Sequence, residues 1–194
     1  MISFQIRNIK ITADMGFLAM LAMISMNQSR FYMYAFLTCI IHELGHMIQI
    51  MITGGNIEKI AFNGSGIKII PCKTRIFSVW NDISVLLGGS FVNIFTALIL
   101  ILLNHGQYNV FIYMNLILGI LNLLPFRCLD GGTVILCLTE HFADYNKQLA
   151  IMKFLKIFNI MLCIILVFLF INFIMQNISA IVMIIYLIIS EILK

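Results

Sequence analysis

Apolar blocks of about 18 residues or more recur along this 194-residue chain, which is the length a helix needs to cross a membrane. Within a bilayer the backbone must satisfy its own hydrogen bonds, so a block of that length has little choice but to be helical. Hydrophobic residues make up 62% of the chain and charged residues only 10%, too few to coat a soluble domain. No stretch between the blocks is long enough to build a core of its own. These features predict an all-α polytopic membrane protein, a single domain over residues 1–194, with about six transmembrane helices.

The segments fall at residues 11–26, 31–53, 78–103, 108–124, 154–173 and 178–192. Residues 1–10 form a short polar start with Arg7 and Lys10, and no small-x-small site follows the first segment, so that segment reads as a retained helix. Gly54-Gly55 supplies a stop for the second segment. Isoleucine-rich residues 56–72 are broken by Asn63-Gly64-Ser65-Gly66 and read as a short β-hairpin after the second helix.

A count of basic residues orients this arrangement. With both termini on one side, that side holds Arg7, Lys10, Lys59, Lys68, Lys73, Arg75, Arg127, Lys147, Lys153, Lys156 and Lys194. The opposite side holds Arg30 alone. The positive-inside rule then makes both termini cytoplasmic. The net charge of +4 is too modest to argue for nucleic acid. Five cysteines without a pairing pattern read as small apolar residues rather than a disulfide framework. Heavy isoleucine, asparagine and lysine usage points toward a bacterial cell membrane.

The second segment contains His42-Glu43-Leu44-Gly45-His46. Histidines four apart on a helix lie on one face, where their ring nitrogens can share a metal ion. A carboxylate beside them, Glu43, is placed to serve as a general base. Ionisable groups at this depth are costly without a partner, which favours a metal site over a satisfied pair of core histidines. Zinc needs a third protein ligand and an open position. Asp130 is the strongest choice among the remaining acids. It follows Pro125, which ends a helix, and precedes Gly131-Gly132, which allow close backbone approach. Asp82 competes, but near the start of the third segment it reads as a helix-capping residue.

Together, His-Glu-Leu-Gly-His and the later Asn122-Leu-Leu-Pro125-Phe-Arg-Cys-Leu129-Asp130-Gly131 resemble the paired motifs of the site-2 proteases, intramembrane zinc peptidases of family M50. The second of these is similar to that family's N-x-x-P-x-x-x-L-D-G at every fixed position. Gly88-Gly89-Ser90-Phe91-Val92-Asn93 resembles its G-x-x-x-N element, with Ser90 where many members carry proline. The resemblance covers a catalytic core of about residues 31–132. It implies one Zn2+ per chain held by His42, His46 and Asp130, with Glu43 as catalytic base. Asn122, Pro125 and Asn93 would then contact substrate, Asn93 alternatively serving as an interhelical brace. Implied partners are a membrane-associated protein substrate, membrane regulatory partners and the lipid bilayer.

The size and segment count look most like the sporulation branch that processes pro-sigma-K, although Lys194 is reached without that branch's C-terminal CBS domain. The hairpin would offer an edge strand to an unwound substrate, or else serve as an interfacial loop. Two other readings are a transporter with intramembrane histidines and a catalytically inactive homologue. A transporter calls for more polar residues along several helices; the intact Glu43 and Asp130 speak against an inactive homologue.

Overall fold

The computed structural model describes residues 2–6, 9–26, 29–63, 66–71, 78–103, 109–169 and 178–193. Arg7, Cys72, Lys73, Arg75, His105, Lys194 and the Gly64-Ser65 turn lie outside these residues. The chain divides into two compact units, Met1–Asn122 and Leu123–Lys194.

The first unit opens with strands β1 (Ile2–Ile6) and β2 (Ile9–Ala13), followed by helix α1 (Met15–Met26) and helix α2 (Arg30–Ile52). Strands β3 (Ile57–Asn63) and β4 (Gly66–Pro71) come next, then helices α3 (Val79–Leu102) and α4 (Asn109–Asn122). The expected hairpin is present as antiparallel β3–β4, with Asn63 opposite Gly66. It belongs to a larger four-stranded sheet of order β1-β2-β3-β4, in which β2 runs parallel to β3.

The expected helices and hairpin are thus joined by two further strands, and residues 2–6 of the polar N-terminal start form one of them. Residues 11–13 read in sequence as the beginning of the first span, yet they belong to β2 and pair with β3. Asp14 ends the strand and starts α1: its backbone N–H donates to the Phe62 carbonyl at 3.0 Å, and its Oδ1 accepts the Phe17 N–H at 2.8 Å. Phe17 then packs against Phe62 of the sheet and Phe36 of α2, with ring centroids 4.9 and 6.2 Å apart.

Helix α2 is bounded by residues suited to its ends. Ser29 caps its start, accepting the Phe31 N–H. Past its end, Gly54 takes the left-handed conformation at φ 76°, and Gly54 and Gly55 donate to the Met51 and Ile50 carbonyls. Helix α3 packs against α2 and α4, and its opposite side presents Phe91, Phe95, Leu98 and Leu102 as one exposed apolar stripe at helical spacing. Such a stripe suits lipid rather than water.

The described helices of the second unit are α5 (Asp130–Phe142), α6 (Tyr145–Leu169) and α7 (Ile178–Leu193). Each of the six expected segments contains a helix, and α5 is an additional one. Among the described residues, Arg30–Ile52, Val79–Leu102 and Tyr145–Phe168 are long and apolar enough to cross a membrane, whereas Met15–Met26 and Asn109–Asn122 are shorter apolar helices. The 12 residues of α1 make a helix only about 18 Å long, because the first part of the expected span went into the sheet.

Candidate metal centre

The centre is built where α2 crosses α3. Gly45, between the two histidines, faces Gly88 and Gly89, and no larger residue fits at this crossing. A Cβ on Gly45 would lie 2.5 Å from the Gly88 carbonyl oxygen and 2.8 Å from the Gly89 Cα. A Cβ on Gly88 would lie 2.8 Å from the Gly45 carbonyl oxygen. The backbones therefore touch directly, the close approach expected of small residues at helix crossings in membranes. Gly45 is thus a packing residue of this crossing.

This contact brings the α3 backbone alongside both imidazoles. His46 Nδ1 lies 2.8 Å from the Val85 carbonyl oxygen. A carbonyl can only accept, so Nδ1 carries the proton and Nε2 is left with a lone pair. His42 Nε2 lies 3.2 Å from His46 Nε2, and the rings meet edge to face at 89°. Two nitrogens at 2.0–2.1 Å from a tetrahedral zinc ion stand about 3.3–3.4 Å apart, so the observed separation suits two ligands of one ion.

On its other side His42 meets Asn93, whose Nδ2 lies 3.4 Å from His42 Nδ1. Asn93 is fully buried, and in this orientation its Oδ1 has no hydrogen-bond partner among the described residues. A half-turn of the amide puts Oδ1 on the ring, where it accepts the Nδ1 proton and makes Nε2 the nitrogen able to coordinate a metal. Both histidines are then held from behind, the outer nitrogen of each donating and the inner nitrogens turned toward one another. Of the two roles open to Asn93, the contact described here is the bracing one. The residues present fit a divalent metal of zinc type.

Gly89 sits at the back of the same site. A Cβ there would lie 2.6 Å from His46 Nε2 and 2.8 Å from His42 Cε1. Glu43 is half-buried on the same helix. One turn before His42, Thr38 receives a hydrogen bond from Asn115 of α4 at 3.3 Å. Both residues are buried, and they fasten α4 to the histidine-bearing helix. The sequence signal for this contact was present: an asparagine in the middle of an apolar segment needs a partner.

In the second unit, Asp130 is the first residue of α5, where the helix dipole favours a carboxylate. The two glycines after it are required by the turn before it. A Cβ on Gly131 would collide with the Leu123 carbonyl, and one on Gly132 with the Phe126 carbonyl. Asn122 donates to the Leu118 carbonyl at 3.1 Å, closing the last turn of α4. Asp82 lies in the first turn of α3, where Ser78 is the cap and accepts the Asn81 N–H.

Fold and residues thus describe a membrane protein in which a long apolar helix carries two histidines with converging ring nitrogens, packed against a glycine-containing neighbour. The chain is similar in fold to the site-2 protease from Methanocaldococcus jannaschii, with a TM-score of 0.62 and 23% sequence identity over 98% of this chain and 93% of that one. No family model matches the chain, and no curated protein matches it.

Proposed function

We propose that this chain is a zinc-dependent intramembrane endopeptidase that cuts a membrane-associated protein within or beside its transmembrane segment. The observation that carries the reading is the convergence of His42 Nε2 and His46 Nε2 at 3.2 Å, with His46 Nδ1 committed to the Val85 carbonyl. The ligands are His42, His46 and Asp130, each offering one donor atom of a type zinc accepts. The shared fold with a site-2 protease supports the same reading.

Zinc would supply Lewis acidity, making water a stronger acid and polarising the scissile carbonyl. The protein's own residues do the rest. Glu43 takes a proton from the attacking water as its oxygen bonds to the carbonyl carbon, and delivers that proton to the amine as the C–N bond breaks. Asn93 and Val85 hold the imidazoles in the required tautomer. Asn122 and Pro125 are proposed to contact the substrate backbone. Strand β4 pairs with β3 alone among the described residues, so its free edge can accept an unwound segment by strand addition.

The basic-residue count supports cytoplasmic termini, and the isoleucine, asparagine and lysine usage supports a bacterial cell membrane. Sporulation sigma-factor processing is the substrate reading that the motif resemblance supports.

Glu43→Gln separates chemistry from metal binding. In proteoliposomes containing co-expressed single-span membrane proteins, the variant should retain zinc and lose about 10²–10⁴-fold in cleavage rate. Cleavage at the parent rate would refute the mechanism.

A further inference from the structure

The turn between α4 and α5 is held by two polar side chains that belong to neither sequence motif. Asn159 of α6 donates through Nδ2 to the Pro125 carbonyl at 2.8 Å and to Glu191 Oε1 at 3.2 Å. The same Glu191 Oε1, from α7, accepts the Arg127 N–H at 2.8 Å. Asn159 is fully buried and Glu191 is 1% exposed, each within a strongly apolar helix. Polar groups placed so deeply are costly and mark function more often than filling.

We infer that Asn159 and Glu191 are positioning residues that clamp residues 125–129 and so fix where α5 begins, and with it the carboxylate of Asp130. The inference rests on the proposed role of Asp130 as a metal ligand. The local structure shows why an outside hold is needed. Leu129, at the N-cap of α5, offers no side-chain hydrogen bond to the helix start. Within the turn itself, the Leu129 N–H reaches the Phe126 carbonyl at 2.9 Å. Gly131 and Gly132 let the turn fold against the helix, but glycines alone leave it free to move. The clamp supplies what is missing, one bond on each side of the buried Phe126. Only one oxygen of Glu191 takes part; Oε2 has no hydrogen-bond partner among the described residues. The clamp therefore depends on an acceptor at Oε1 and not on charge, so glutamine can replace glutamate.

The test uses the full chain in detergent with Cys39, Cys72, Cys137 and Cys163 replaced by alanine, leaving Cys128 of the turn as the single thiol. Two quantities are read: the rate of Cys128 modification by a maleimide, and the zinc dissociation constant by chelator competition. Asn159→Ala and Glu191→Ala should each speed labelling about tenfold and weaken zinc about 10–100-fold, while Glu191→Gln behaves as the parent. Monodispersity on gel filtration verifies folding, and Asn159→Ala stands in if Glu191→Ala aggregates. Parent-like zinc affinity and labelling in the alanine variants would overturn the inference. So would faster labelling with unchanged zinc affinity, provided that Asp130→Asn itself loses zinc. Should Asp130→Asn bind zinc like the parent, the ligand assignment fails instead, and labelling alone then decides whether the clamp holds the turn.

Discussion

Replacing Gly89 with alanine tests the metal centre at its tightest point. The added methyl would stand 2.6 Å from His46 Nε2 and 2.8–2.9 Å from His42 Cε1 and Nδ1. Ordinary contact requires His46 Nε2 to retreat by about 0.8 Å. The histidine cannot move freely, because its Nδ1 is bonded to the Val85 carbonyl one turn earlier on α3. Nor can α3 withdraw, because Gly45 and Gly88 are already in backbone contact. Metal sites tolerate about 0.2 Å in ligand distance, so a displacement several times larger should break the two-histidine geometry. The expected result is a loss of zinc affinity of at least about 100-fold by chelator competition, exceeding the effect of removing one supporting contact. Zinc bound at parent affinity would show that the imidazoles do not converge as described.

Other substitutions probe the supports around the site. Asn93→Leu removes the group behind His42 and should weaken zinc about 10–100-fold in the same assay, with little change in unfolding midpoint. Asn115→Leu removes the bond to Thr38, which keeps its own bond to the Tyr34 carbonyl at 2.8 Å. Denaturant unfolding in mixed micelles should therefore register only about 0.6–1.7 kcal/mol of destabilisation. Gly54→Ala forces a side chain into the left-handed region at φ 76° and should cost about 1–2 kcal/mol, seen as a lowered thermal midpoint.

What could be read from sequence was set by local chemistry. The ends of α2 were legible because Gly54 is a stop signal that acts through its immediate neighbours. The β3–β4 hairpin was legible for a related reason, its strands being joined through Asn63 and Gly66. The convergence of His42 and His46 follows from helical spacing alone.

The N-terminal strands were hidden because β2 pairs in parallel with β3, a partner some fifty residues away, and Lys10 opposite Lys59 leaves no mark in either segment alone. Residues 11–13 at the end of β2 run almost straight into apolar α1, so they read together with it as one span. The roles of Asn115, Asn159 and Glu191 were hidden for another reason. Composition shows that a polar side chain in an apolar helix needs a partner, but not which neighbour provides it. Asn93 stood between two readings, and its contact with His42 Nδ1 became visible only once α2 and α3 were placed together.

The central claim is that the two histidines and Asp130 hold a catalytic zinc ion. X-ray absorption at the zinc edge of the purified, fully loaded protein tests it most directly. The account predicts one zinc per chain, with two imidazoles at about 2.0–2.1 Å and the remaining ligands oxygen, one of them lost in Asp130→Asn. A sample that retains no zinc after purification, or whose spectrum lacks imidazole scattering, would contradict it.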